Sequence, residues 1–116
     1  MIPTDVVRTT SDGVVMFWCP GCETYHGVWT TDVNPLTGAR WSWNGDRVRP
    51  TFSPSVLVHG NGKVPHCHSW VRDGVIEFLG DCSHPLAGLK VGLMTNEEVD
   101  RQSEAGTLFR DGASQK

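Results

Sequence analysis

The sequence predicts a mainly β fold: one small domain of antiparallel hairpins over residues 1–94, then a short polar tail over residues 95–116. Three observations point there. Thirteen glycines and seven prolines in 116 residues set turns too close together for long helices. Short runs of β-branched and aromatic residues, such as 14–18 and 69–72, lie between those turns. Four cysteines, two of them in Cys19-Pro20-Gly21-Cys22, offer a staple to a core of modest size.

The elements follow in order. Residues 14–18 and 25–31 read as a hairpin whose tip is the Cys-Pro-Gly-Cys knuckle. Residues 32–40 carry Asn34-Pro35 and Thr37-Gly38 and read as a loop. Trp41-Ser42-Trp43 alternates like a strand, Asn44-Gly45 signals a type I′ turn, and residues 46–49 are the expected return strand. Pro50 and Pro54 forbid a helix or a central strand, so residues 50–55 read as a stiff extended loop before a short strand at 55–59. Asp73-Gly74 is the second hairpin turn, between residues 69–72 and 75–79. Counting outward from it puts Cys67 opposite Gly80, close to Cys82. Residues 85–94 read as a turn and a last strand. Thr95-Asn96-Glu97-Glu98 has capping-box spacing, so the tail begins as a short helix with almost no apolar face.

The cysteines point to a metal. No apolar run reaches the roughly 18 residues that span a bilayer, and residues 1–11 lack the build of a signal peptide. A reducing cytosol is therefore expected, where cysteines serve as metal ligands and not as disulfides. A Cys-x-x-Cys disulfide would also close a strained loop. Zinc prefers four tetrahedral ligands and takes thiolate readily. The knuckle offers Cys19 and Cys22, and the second hairpin offers Cys67 and Cys82. The expected site is zinc-ribbon-like, with His26, His68 or His84 as alternative ligands. Such a zinc would contribute on the order of 10 kcal/mol to folding.

His26, His68, His84 and Asp81 then remain beside the metal. They are the candidate catalytic residues, with a histidine as general base and Asp81 as its orienter. The plainer reading makes the histidines hydrogen-bond partners of the metal ligands. Neighbours on a strand point to opposite faces, so His68 should face away from Cys67. No His-Glu-x-x-His, Gly-x-Ser-x-Gly or phosphate-binding glycine loop occurs, which leans against an enzyme. A net charge of −3 argues against a general nucleic-acid or membrane binder. Residues 40–72 are nonetheless locally basic, with Arg40, Arg47, Arg49, Lys63 and Arg72 against Asp46, interleaved with Trp41, Trp43 and Phe52.

The chain resembles a family of short uncharacterised proteins of bacteriophages and prophages. The matching segments are Phe17-Trp18-Cys19-Pro20-Gly21-Cys22 with His26, Trp43-Asn44-Gly45-Asp46, Pro50-Thr51-Phe52-Ser53-Pro54-Ser55, Cys67-His68-Ser69, and the run from Phe78-Leu79-Gly80-Asp81-Cys82 through Ser83-His84-Pro85-Leu86-Ala87-Gly88. The resemblance implies a phage origin and residence in the infected host's cytoplasm or in the virion. Three functions follow as expectations. The first is a zinc-stabilised interaction module that binds a phage structural protein or a host protein. The second is a small metal-dependent hydrolase using His26, His68, His84 and Asp81. The third is a zinc ribbon that binds nucleic acid through residues 40–72.

Overall fold

A computed structural model describes residues 4–60 and 65–104. The strands, in chain order, are β1 (Val7–Thr9), β2 (Val14–Cys19), β3 (Thr24–Trp29), β4 (Ser42–Trp43), β5 (Phe52–Ser53), β6 (Val56–Val58), β7 (Cys67–Arg72), β8 (Val75–Phe78) and β9 (Lys90–Gly92), followed by helix α1 (Asn96–Glu104). They form three antiparallel sheets, ordered β1-β2-β3, β4-β5 and β6-β7-β8-β9. The mainly β antiparallel architecture read from the turns and short strands is the one observed.

Alternation sets what each strand buries. In β2, Val15, Phe17 and Cys19 point inward, and β3 adds His26 and Val28 opposite Phe17 and Val15. In β7, Cys67, Ser69 and Val71 point inward, where Val56, Ile76 and Phe78 meet them. His68, Trp70 and Arg72 therefore lie on the outer face of that sheet. Phe52 joins the two halves, stacked on Phe17 with ring centroids 5.8 Å apart. Each buried phenyl contributes roughly 2–3 kcal/mol by leaving water.

The second hairpin turns as expected. Asp73 and Gly74 have φ of 52° and 77°, the two positive values that a type I′ turn requires. Asp73 N–H donates to Thr51 Oγ1 at 2.8 Å and Gly74 N–H to the Pro50 carbonyl at 3.0 Å. These bonds dock the turn on the segment leading into β5.

The partner of residues 42–43 differs from the expectation. It is Phe52–Ser53 and not residues 46–49. Asp46 takes the backbone N–H groups of Val48 and Arg49 at 2.8 and 2.9 Å, while Asn44 Oδ1 accepts from Asp46 and Thr51. Those side chains curl residues 46–49 into a loop and withdraw their amides from any ladder. A strand thus begins inside the proline-flanked stretch, at an edge where prolines are tolerated.

Helix α1 opens with a complete capping box. Thr95 Oγ1 accepts from Glu98 N–H at 3.1 Å, and Glu98 Oε1 accepts from Thr95 N–H at 2.9 Å. The helix is tied to β1 by Asn96 Nδ2 donating to the Val7 carbonyl at 2.8 Å and by the Arg8–Asp100 ion pair, and its Val99 is buried. Residues 105–116 of the tail lie outside the described residues. Among the described residues, no helix is long and apolar enough to cross a membrane.

Candidate functional site

The β6–β7 register creates the first polar constellation. Leu57 pairs with His68, so outward-facing side chains of β6 and of the residue just before it stand beside His68. Ser55 is that preceding residue, and its Oγ lies 2.9 Å from His68 Nε2. The other ring nitrogen, Nδ1, lies 3.2 Å from Asp81 Oδ2. With the carboxylate ionised, Nδ1 carries the proton and donates to Asp81. Nε2 is then free to accept the Ser55 hydroxyl proton. Serine, histidine and aspartate in this order of contact are the arrangement that activates a hydroxyl as a nucleophile.

Local structure holds each member. The Ser55 carbonyl accepts from Trp41 Nε1 at 3.2 Å. His68 is pinned through its backbone: its carbonyl accepts from Leu79 N–H at 2.9 Å, and Cys82 Sγ lies 3.2 Å from both its N and its O. His66 Nε2 reaches the same Asp81 oxygen at 3.3 Å, so one carboxylate serves two imidazoles. Desolvation raises the Asp81 carboxyl, but the hydrogen bonds from His66 and His68 outweigh it and hold the group below its ordinary value. Further along the same face runs a groove of about 270 Å³ lined by Trp70, Arg72, Val75, Glu77 and Lys90. The Arg72 guanidinium lies 4.2 Å from the centre of the Trp70 ring.

The second constellation lies behind β7. Ligand atoms of Cys19, Cys22, His26 and Cys67 fall within 4.8 Å of one another, and Cys67 also belongs to a group with Cys82 and His84. These groups can hold a metal ion. The knuckle brings its own geometry: Cys22 N–H points at Cys19 Sγ at 3.3 Å, Glu23 N–H donates to the Cys19 carbonyl, and Glu23 takes a φ of 56°. Gly21 must lack a side chain, because a Cβ there would sit 2.3 Å from the His84 ring. Proton sharing with Cys67 lowers the Cys19 thiol to about 4, with His26 adding to the effect. Burial, then the charge on Cys19, pushes Cys22 up to about 12. Cys67 is pushed up by the shared proton and by burial.

The structure thus divides the sequence candidates between two faces of one strand. His68 and Asp81 meet on the outer face. His26 and His84 lie on the inner face, buried with the cysteines. Ser55 and His66 are additions that sequence reasoning missed. Ser55 sits in a proline-flanked stretch with no Gly-x-Ser-x-Gly signature, and only the pairing of β6 with β7 brings it to His68.

Comparison with known families bears on this geometry. Residues 2–79 match the BubE family, described as a bacterial ubiquitination-like system serine protease. The chain belongs to the BubE family. The matched span includes Ser55 and His68 and ends two residues before Asp81. The match shows a domain family over most of the chain, as the resemblance implied, but it is a different family and carries no evidence for the motif set on which the phage resemblance was drawn. The BubE description points to a bacterial system and lends nothing to a phage origin or to a protein-interaction role. Among curated proteins and among solved structures, no match to the chain was found.

Proposed function

We propose that this BubE-family chain is a serine-dependent hydrolase of the protease type. Ser55 is the nucleophile, His68 the general base and then general acid, and Asp81 the residue that orients His68. The observation that carries this reading is the 2.9 Å contact between Ser55 Oγ and His68 Nε2, backed by Asp81 on the opposite ring nitrogen. The family description names the same nucleophile class.

The chemistry follows from the contacts. Ser55 Oγ attacks the scissile carbonyl as its proton passes to His68 Nε2. The Asp81 carboxylate stabilises the imidazolium that results. His68 then returns the proton to the leaving amine, and an acyl ester remains on Ser55. Water, deprotonated by His68, hydrolyses that ester and restores the hydroxyl. The groove along Trp70 and Val75 would receive the substrate chain on the face where Ser55 is presented. A metal-dependent hydrolase that used His26, His68, His84 and Asp81 together is disfavoured, because β7 separates the first and third of these from the other two.

A fluorophosphonate probe, which reacts only with an activated serine, tests the assignment. Mass spectrometry should find the adduct on Ser55. Labelling should vanish in Ser55→Ala and slow by about 10²-fold or more in His68→Ala. Equal labelling of Ser55→Ala and the parent protein, or no serine labelled at all, would sink the reading.

A further inference from the structure

The cluster behind β7 serves no step of the proposed hydrolysis, yet all of it but the half-buried Cys22 is buried. Cys19 is 0 % exposed, Cys67 1 %, His26 8 % and His84 6 %. Three thiols in mutual contact cannot all ionise beside one another unless a cation compensates them. Among the described residues, Nε2 of His26 and Nε2 of His84 are buried with no hydrogen-bond partner. Buried polar atoms of that kind need a partner, and a metal ion is one that thiolates and imidazoles share.

The two histidines differ in what they can offer. His84 Nδ1 accepts the Leu86 N–H at 3.2 Å, so its lone pair is in use. A neutral imidazole then carries its proton on Nε2, which makes that atom a donor and unfit to bind a cation. It lies in the group with Cys67 and Cys82 and is suited to donate to a thiolate there. His26 lies with Cys19, Cys22 and Cys67 in the four-membered group. Cys82 falls outside that four-membered group, its sulfur lying with Cys67 and His84 and 3.2 Å from the backbone N and O of His68.

We infer that Cys19, Cys22, Cys67 and His26 bind one zinc ion, with His84 donating Nε2–H to a ligating thiolate and Cys82 outside the ligand set. Binding releases the thiol protons. Three thiolates, one neutral imidazole and a divalent cation sum to one negative charge, which the His84 N–H partly offsets. An N–H donor beside a thiolate-rich zinc is the usual support of such a site. Cys19 Sγ and Cys67 Sγ stand 3.8 Å apart, a separation that fits two ligands of one tetrahedral zinc with Zn–S of about 2.3 Å. The site is independent of Ser55 and lies on the reverse face of β7 from His68.

Zinc counted per chain in the full protein, purified with zinc supplied, is the test. One ion is expected in the parent protein and in Cys82→Ser, with affinity reduced at least about tenfold in His26→Ala. Loss of the ion from Cys82→Ser with retention in His26→Ala would overturn the assignment. So would two ions per chain, or none. Where a variant fails to fold, the cobalt-loaded parent protein decides. Sulfur-to-cobalt charge transfer with the intensity of three thiolates supports the site, and the intensity of four overturns it. Probe labelling of Ser55 plays no part, so failure of the hydrolase reading leaves this result intact.

Discussion

Replacing Asp81 by asparagine changes one atom type and removes one charge, and the structure says what should follow. An asparagine amide can present its NH₂ to His68 Nδ1, which turns Nδ1 into an acceptor. The proton then moves to Nε2, where it faces the Ser55 hydroxyl as a donor. A histidine in that tautomer cannot take the hydroxyl proton. General-base contributions span about 10²–10⁴-fold. Two observations put this chain at the low end. The Asp81 side chain is 50 % exposed, so water screens it, and its contact with Nδ1 is 3.2 Å, long for a charge-assisted bond. A loss of about 10²-fold in the rate of fluorophosphonate labelling is therefore expected for Asp81→Asn, with an unchanged circular dichroism spectrum. His66→Ala, which removes the competing imidazole, should alter the rate by no more than about threefold. An Asp81→Asn protein that labels within twofold of the parent would refute the role assigned to Asp81.

Four further outcomes are expected. Gly21→Ala forces a methyl to within 2.3 Å of the buried His84 ring and should lower the unfolding free energy by about 1–3 kcal/mol, read as a lower urea midpoint at constant slope. Arg47→Ala strips the ion partner from Asp5, whose side chain is 3 % exposed, and should cost on the order of 3 kcal/mol in the same assay. Thr95→Ala breaks the capping box and should cost about 1 kcal/mol, with Thr95→Ser restoring most of it. The Asp46 carboxylate, held down by the N–H groups of Arg49 and Val48, should titrate in the folded protein below the ordinary aspartate value. Its stabilisation is then present above the unfolded-state value and lost as pH falls through the folded one. A carbon-13 titration showing the ordinary value would contradict this.

Legibility in the sequence followed the range of the interaction. The knuckle hairpin and the Asp73-Gly74 hairpin were readable because turn chemistry acts over a few residues, and glycine at a positive φ has few substitutes. The capping box was readable for the same reason. Asn44-Gly45 resembles a two-residue turn and by itself predicts a return strand at residues 46–49. Two side chains, Asn44 and Asp46, instead close a wider loop, and the ladder forms at Phe52. That choice depends on Phe52 being wanted in the core against Phe17, a contact 35 residues away in sequence.

The residues of the candidate sites divide in the same way. His68 and Asp81 were legible because they adjoin cysteines in a chain where cysteine spacing announces a cluster. Alternation along β7 correctly turned His68 away from Cys67. Ser55 was illegible, since its neighbours Pro54 and Val56 suggest only an extended segment.

By itself, then, the sequence determined that the chain is a small antiparallel β protein with converging cysteines, and that a histidine beside them faces the other way. These are consequences of turn residues and of the two-residue period of a strand. Only the tertiary structure decided which hydroxyl meets that histidine and that two imidazoles, His26 and His84, lie among the thiols. Both choices depend on the register of strands far apart in the chain. Burial of Val56, Phe52 and Phe17 in one core sets that register, and no local pattern encodes it.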